Sequence, residues 1–223
     1  AGFTLSKTTA TVTEAGGTDT YTVVLDAQPD SNVVITVTSG DTGEVTVSAA
    51  ELTFTNGNWN SAQTVTLTGV NDDIIDVDTQ TTVTMAVKDA SSDDNFDGVS
   101  DQTVTVTTTD NDTAGFTLSK TTATVTEALG TDTYTVVLNA EPNSNVVISV
   151  TSGDTGEATV SPATLTFTAA NWDTPQTVTL TGVNDDIIDV DTQTTVTMAV
   201  VDNDSDNNFD ALADQTVTVT TTD

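Results

Sequence analysis

Hydrophobic residues alternate with threonine in many short runs along the chain, and this period of two is typical of β-strands buried on one face. In the clearest run, Val65 and Leu67 face one side while Thr64 and Thr66 face the other. Threonine is β-branched, so it favours the strand while it stays polar on the solvent face. In the first half of the chain the pattern predicts eight strands, at residues 3–6 together with 10–13, and at 18–25, 32–38, 44–47, 52–55, 63–70, 81–87 and 102–109.

Turn-forming residues separate these runs, for example Gly16-Gly17 and Asn56-Gly57. Helical periodicity is absent throughout. Seven or eight short strands with regular turns predict an all-β fold, in which each domain is an immunoglobulin-like Greek-key β-sandwich. The chain contains no Cys, so it lacks the disulfide of antibody domains and only the architecture carries over.

The second half of the chain repeats the first at a constant offset of 113 residues. Of 110 aligned pairs, 20 differ and 90 are identical, which predicts two domains, at residues 1–112 and 113–223. The link at residues 110–114 is short and not rich in Gly, Ser or Pro, so the two sandwiches are expected to be joined end to end. The sequence starts and stops inside the repeat pattern, which favours a piece of a longer array.

The chain is strongly acidic, with a net charge of −31 and only three basic residues, Lys7, Lys88 and Lys120. This excludes nucleic acid as a partner, because nothing can neutralise its phosphates, and anionic membrane surfaces are excluded for the same reason. Direct membrane insertion is not expected, since no apolar run approaches the roughly 20 residues of a spanning helix. The absence of Cys argues against a small disulfide-stabilised secreted domain and is compatible with a large bacterial surface protein.

Acidic residues gather where predicted strands end. Several stand together at residues 71–78, Glu14 follows one strand, Glu44 begins another, and Asp110 follows the last. Alternating strand directions can bring them to one pole of a sandwich. Two carboxylates about 4 Å apart repel by roughly 4 kcal/mol at an effective dielectric constant near 20, so the cluster needs a cation. Ca²⁺ suits it, because it takes roughly 6–8 oxygen ligands in flexible geometry, whereas the usual zinc and copper sites need His or Cys.

A series of short motifs runs through the first repeat and returns in the second. It consists of Val12-Thr13-Glu14, Tyr21-Thr22-Val23-Val24-Leu25, Leu52-Thr53-Phe54, Trp59, Val65-Thr66-Leu67, Asn71-Asp72-Asp73 and Asp110-Asn111-Asp112-Thr113-Ala114-Gly115. Together these motifs resemble the Calx-β domain family, known from sodium–calcium exchangers, integrin β4 and tandem arrays in bacterial surface proteins. The resemblance covers both repeats nearly end to end and is most specific in the Asn-Asp-Asp loop and the closing motif.

The resemblance implies a Ca²⁺ site in each repeat. Matched by motif, the ligands of the first repeat are Glu14, Glu44, Asn71, Asp72, the backbone carbonyl of Ile74, Asp76, Asp110 and Asp112. Those of the second are Glu127, Glu157, Asn184, Asp185, Ile187, Asp189 and Asp223. Asn71 and Asn111 stand where calcium-sensing members carry Asp, and Thr79 replaces an acid, which implies fewer or weaker ions. The second site is expected to be incomplete, because no linker follows Asp223.

Several features have a structural interpretation beside a functional one. The acids at residues 89–101 fit no EF-hand spacing and form either an ion site or a solvated loop. The Asp-Thr-Gly triplets at 41–43 and 154–156 resemble those of aspartic proteases, but their polar setting favours turns. Trp59 and Trp172 could stack on sugars, although packing against the core is the simpler prediction. For the main cluster, the simpler alternative is an acidic surface that only confers solubility.

These features predict a calcium-binding stalk or extender repeat, not an enzyme, in a large bacterial extracellular adhesin. Ca²⁺ at the interdomain junction would stiffen the array. Its partners would be neighbouring repeats of the same chain, while the distal target of the parent protein is not specified, and the chain is expected to be a monomer. One alternative is a ligand-binding cell-adhesion module with affinity for a glycan or protein. The other is a calcium-sensing regulatory Calx-β domain, which would need the full set of acids.

Overall fold

The alternating segments form strands in the computed structural model, which describes residues 1–184 and 190–223. The first repeat contains β1 (Phe3–Leu5), β2 (Thr9–Thr13), β3 (Thr18–Leu25), β4 (Val33–Ser39), β5 (Val45–Val47), β6 (Glu51–Phe54), β7 (Gln63–Gly69), β8 (Thr79–Val87) and β9 (Gln102–Thr109). Short 3-10 helices at Asp89–Ser91 and Asp94–Phe96 interrupt the connection between β8 and β9.

The second repeat has the same order of elements. Its strands are β10 (Phe116–Leu118), β11 (Thr122–Thr126), β12 (Thr131–Leu138), β13 (Val146–Ser152), β14 (Ala158–Ser161), β15 (Thr164–Phe167), β16 (Gln176–Gly182), β17 (Thr192–Val200) and β18 (Gln215–Thr222). A 3-10 helix at Asp202–Asp204 follows β17.

Each repeat folds into two facing sheets. In the first repeat the strand orders are β1-β3-β7-β5 and β2-β9-β8-β4-β6, and the second repeat has β10-β12-β16-β14 and β11-β18-β17-β13-β15. The edge strand β2 pairs parallel with β9, and β11 pairs in the same way with β18. The prediction of an all-β fold with two immunoglobulin-like sandwiches is confirmed.

The inward side chains of both sheets form the core of each sandwich, as the alternation predicts. Val65 and Leu67 are fully buried, while Thr66 between them and Thr64 and Thr68 beside them lie on the outer face. The buried hydroxyl of Tyr21 donates a hydrogen bond to Met85 Sδ at 2.9 Å, which satisfies its polar end inside the core. Trp59 is half-buried and packs against this core, so the structural interpretation of the tryptophan is confirmed.

The chain divides into two compact units. The first comprises Ala1–Asp72 and Asp76–Asn111, and the second comprises Asp73–Ile75 and Asp112–Asp223. Each unit has its own hydrophobic core. Among the described residues, no helix is both long and apolar enough to span a lipid bilayer.

Candidate metal centre

Glu14 is the most deeply buried of the predicted ligands in the first unit. It directly follows β2, and only 2% of its surface is exposed. Within the described chain, its Oε2 atom has no hydrogen-bond partner. A buried carboxylate oxygen without a partner is costly, so this position calls for a ligand from outside the chain or for a proton.

Asp76 and Asp110 complete a group of three acids around Glu14. One carboxylate oxygen from each of the three lies within 4.8 Å of the other two. The backbone N–H of Asp76 donates to Asp110 Oδ2 at 3.2 Å, and the backbone N–H of Asp110 donates to Asp78 Oδ1 at 3.3 Å. These bonds hold the loop before β8 against the end of β9, so that three separate chain segments meet at the centre.

Burial and unbalanced negative charge together raise pKa values in the cluster. Burial and then the Asp72 carboxylate raise the pKa of Glu14 to about 7, with smaller contributions from Asp110 and Asp76. The backbone N–H of Asn111 opposes this shift, because it favours the ionised form. Burial, Asp110, Asp72 and Asp78 also raise the pKa of Asp76. Ionised acids are therefore unfavourable here unless a cation is present.

Glu44 adds a further carboxylate from the segment just before β5. It is half-buried, and its Oε2 has no hydrogen-bond partner among the residues that the structure describes. Burial raises its pKa, followed by the negative charges of Asp76, Asp41 and Asp72. Its backbone carbonyl accepts a hydrogen bond from the N–H of Val70 at 2.9 Å, which ties Glu44 to the end of β7.

All three lysines of the chain are engaged elsewhere. Lys7 pairs with Asp19, Lys120 pairs with Asp132, and Lys88 Nζ lies 2.6 Å from Glu51 Oε1. No basic side chain therefore neutralises the cluster. Among the described residues, the potential metal ligands grouped around Glu14 are carboxylate oxygens from irregular segments and strand ends, and this set fits Ca²⁺ better than metals that prefer nitrogen or sulfur.

The other predicted ligands of the first repeat are placed differently. The exposed side chain of Asn71 donates to the carbonyl oxygen of Asp72 at 2.6 Å. Ile74 belongs to the second unit, where it forms an isolated parallel bridge with Glu141. Asp112 is half-buried and also belongs to the second unit. The first unit thus brings together Glu14, Glu44, Asp72, Asp76 and Asp110.

In the second unit, the two glutamates that correspond to Glu14 and Glu44 occupy similar positions. Glu127 follows β11 and is 8% exposed, and the carbonyl of Glu157 accepts a hydrogen bond from Val183 at 2.9 Å. Asn184 and Asp223 are exposed. The predicted ligands Asp185, Ile187 and Asp189 lie outside the described residues.

The second acidic loop, at residues 89–101, contains a carboxylate that stabilises the fold. Asp93 is 4% exposed, and its Oδ2 accepts from the backbone N–H groups of Asp30 at 2.6 Å and Ser31 at 3.0 Å. Its Oδ1 accepts from the N–H of Asn95 at 2.9 Å. These bonds, that from Asn95 first, hold its pKa below the usual range. In the second unit the carboxylate of Asp206 accepts from the backbone N–H groups of Ser144 and Asn208, each at 2.9 Å.

The Asp-Thr-Gly triplet forms a turn, as its polar setting predicts. The carboxylate of Asp41 accepts from the N–H of Gly43 at 2.8 Å, and both residues are exposed. Asp154 and Gly156 form the same turn in the second repeat. The negative charge of Asp41 nevertheless helps to raise the pKa of Glu44. The sequence analysis missed this effect, although the two residues are only three positions apart.

Comparisons with known proteins yield similar structures only. No protein-family model and no curated protein matches the chain. Crystal structures of CBD12 from CALX1.2 and of the calcium binding domain CBD12 of CALX1.1 are each 15% identical to it, with TM-scores of 0.39 and 0.38. They cover 89% and 88% of this chain, which in turn covers 80% and 79% of theirs. Domains 4 and 5 of the S-layer protein SbsC are 17% identical at a TM-score of 0.40, covering 85% of this chain and 77% of that one. Likenesses this distant carry no conclusion about function.

Proposed function

We propose that the chain is a calcium-binding structural repeat of a bacterial cell-surface or secreted protein. The observation that carries the proposal is the buried Glu14 carboxylate, whose Oε2 has no hydrogen-bond partner among the described residues. Asp76 and Asp110 each present an oxygen within 4.8 Å of a carboxylate oxygen of Glu14. A cation coordinated at this point would satisfy the buried oxygen and relieve the repulsion that raises the pKa of Glu14.

Ca²⁺ fits this donor set, and its binding would be coupled to folding. The ligands come from four separate segments, so the unfolded chain does not hold them together. An ion bound only by the folded state stabilises it by about 2.7 kcal/mol at 100 times its dissociation constant. In this proposal the ion is held by Glu14, Glu44, Asp72, Asp76 and Asp110, the acids that the first unit brings together.

The proposed biological role is that of a stalk in an adhesin-like extracellular protein, with Ca²⁺ at the interdomain junction making the array rigid. The near-identical tandem copies support this role. With 90 identical positions in 110, the copies add length to the protein without presenting different surfaces. The proposed partners are neighbouring repeats, the chain itself is proposed to be monomeric, and its role is structural, without enzymatic activity. The exposed Asp41 turn accounts for the Asp-Thr-Gly triplet without catalysis.

Calorimetry and thermal unfolding test the calcium site directly. Isothermal titration of the metal-free chain with Ca²⁺ should show saturable binding, and the melting temperature should be higher in Ca²⁺ than in chelator. Changing Glu14→Gln together with Glu127→Gln should weaken both effects. The matched control is Glu51→Gln, which removes an exposed acid that pairs with Lys88 and should behave like wild type. Equal melting temperatures in Ca²⁺ and chelator would contradict the proposal.

A further inference from the structure

Two glycines, Gly17 and Gly69, lie in close contact with the backbone of Thr13, the residue immediately before Glu14. A methyl group at Gly69 would overlap the backbone carbonyl group of Thr13, lying 2.8 Å from its carbon atom. A methyl group at Gly17 would lie 2.7 Å from the backbone nitrogen of the same residue. Both glycines therefore allow a backbone approach that no other residue permits. Backbone atoms, unlike the end of a flexible side chain, cannot move aside without shifting the strand.

Hydrogen bonds connect this close approach to both glutamates of the site. The N–H of Gly17 donates to the Thr13 carbonyl, and the N–H of Gly69 donates to the Gly17 carbonyl, each at 2.9 Å. The next residue, Val70, donates to the Glu44 carbonyl at 2.9 Å. The end of β7 thus contacts two segments, the turn that carries Glu14 on one side and the Glu44 backbone on the other. Both contacts lie just before the acidic loop that begins at residue 71.

The same arrangement occurs in the second repeat. Methyl groups at Gly130 and Gly182 would each collide with the backbone of Thr126, which precedes Glu127. The N–H of Gly182 donates to the Gly130 carbonyl, and that of Val183 donates to Glu157, both at 2.9 Å.

We infer that Gly17 and Gly69, with Gly130 and Gly182 in the second repeat, are positioning residues of the cation site. They bring β7 close to the end of β2, so that Glu14 stands beside the acids of the loop that follows β7. This inference rests on the proposed function. Because metal–oxygen distances tolerate deviations of only about 0.2 Å, a side chain that separates the two backbones would disrupt the ligand geometry.

The test compares glycine variants with two controls in the full chain, using Ca²⁺ as the probe. Gly69→Ala with Gly182→Ala should weaken Ca²⁺ binding by about tenfold or more, the range found when supporting residues of metal sites are changed. Gly57→Ala should bind like wild type, because its methyl group would have 3.8 Å to its nearest neighbour and the second repeat carries Ala170 there. Val33→Ala with Val146→Ala, at fully buried positions, lowers stability without touching the site.

Binding is measured by calorimetry at a temperature at which circular dichroism shows every variant to be folded. The inference is supported if the glycine variant loses affinity while the valine variant, despite its lower melting temperature in chelator, keeps it. Wild-type affinity in the glycine variant would overturn it. So would an equal loss of affinity in the valine variant, since the effect would then follow from stability alone. No binding by wild type would remove the proposed function and this inference together.

If the variant Gly69→Ala with Gly182→Ala is unfolded in chelator, folding itself provides the second measurement. Ca²⁺ is then titrated into that variant and into the pair Gly17→Ala, Gly130→Ala, with folding followed by circular dichroism. Recovery only at Ca²⁺ concentrations at least tenfold above those that refold a buried-valine variant equally unfolded in chelator supports the inference, because the cost of folding raises the Ca²⁺ requirement of both variants alike. Recovery at the same concentration as that valine variant, or no recovery at any concentration, overturns it, because the glycines would then serve the sandwich alone.

Discussion

Glu14 shows at the residue scale how position changes the chemistry of a side chain. It is one of 34 acids in the chain, yet its burial and its neighbours raise its pKa to about 7. Asp93 is buried to a similar extent, but three backbone N–H groups satisfy it and its pKa is lowered. The difference lies in hydrogen-bond donors, so Asp93 stabilises a loop and Glu14 requires a cation or a proton.

The raised pKa of Glu14 predicts the pH dependence of stability in chelator. The pKa of Glu14 in the folded state, about 7, exceeds the ordinary value of 4.5. Protonation of Glu14 therefore stabilises the folded state fully below about pH 4.5, and this contribution is lost as the pH rises through 7. The free energy of unfolding should therefore fall by a few kcal/mol over this interval, because each pKa unit corresponds to about 1.4 kcal/mol. Urea unfolding at several pH values measures this. Glu14→Gln should flatten the profile and Glu51→Gln should not; equal slopes in wild type and Glu14→Gln would refute it.

The turn after Glu14 offers a natural pair of variants. Leu129 adopts a φ of 62°, in the left-handed region, where the first repeat has Gly16 at 74°. This conformation costs a residue with a side chain about 1–2 kcal/mol, partly offset because glycine is more flexible in the unfolded chain. Leu129→Gly should stabilise its repeat by up to about 1 kcal/mol, and Gly16→Leu should destabilise the other. Chemical unfolding of both variants checks the signs, and two shifts in the same direction would be inconsistent with this account.

At the scale of elements, the connection between β1 and β2 carries the chain from one sheet to the other. Lys7 in this connection pairs with Asp19 on β3, and the Asp19 carboxylate also accepts from the N–H groups of Thr20 and Thr11. The hydrogen bond from Lys7, followed by those backbone N–H groups, lowers the pKa of Asp19. Lys120 and Asp132 form the same pair in the second repeat, so the crossover is held in the same way in both sandwiches.

Lys7 and Lys88 should differ in their effect on stability. The side chains of Lys7 and Asp19 are 32% and 30% exposed. Those of Lys88 and Glu51 are 46% and 47% exposed. Lys7→Met should lower the free energy of unfolding by about 1 kcal/mol, whereas exposed pairs contribute little. Lys88→Val should be close to neutral, since Val201 and Thr164 replace that pair in the second repeat. Thermal unfolding compares the two variants, and a larger effect at Lys88 would count against this ranking.

For the whole molecule, the distribution of the 20 differences between repeats is informative. None falls on β2, β3, β7, β8 or β9, or on any predicted ligand that has a counterpart. Most lie in connections, with single differences in β4, β5 and β6. The proposed ligands that have a counterpart and the strands beside them therefore have the same sequence in both copies, as expected if each copy performs the same structural task.

Rigidity of the pair is the expected consequence of calcium at the junction. Small-angle scattering should give a narrow distribution of maximum dimensions in Ca²⁺ and a broad one in chelator, because the acids of the link would then repel the loop. Asp110→Ala with Asp112→Ala should give the broad distribution even in Ca²⁺. The control is Asp89→Ala with Asp94→Ala, which removes the same charge from exposed positions in another loop. Identical distributions with and without Ca²⁺ would leave a stabilising ion but no stiffened stalk.

The sequence by itself determined the strands, the two sandwiches and the set of acids from which a site can be built. Alternation with Thr and Gly- or Asn-containing turns are local signals, so strands such as β3 and β9 begin and end where the pattern predicts. The scarcity of basic residues near the acids also follows from a composition with only three lysines, although their pairing elsewhere is a fact of the tertiary structure.

Only the tertiary structure decided which acids are buried together and which are satisfied by the backbone. Glu14, Asp76 and Asp110 come from distant segments, and they meet because β2 lies beside β9 and β9 beside β8. The close approach at Gly69 likewise depends on which strand end it faces. Such facts depend on pairings between residues far apart in the chain, and a local pattern of hydrophobic and polar residues does not encode them.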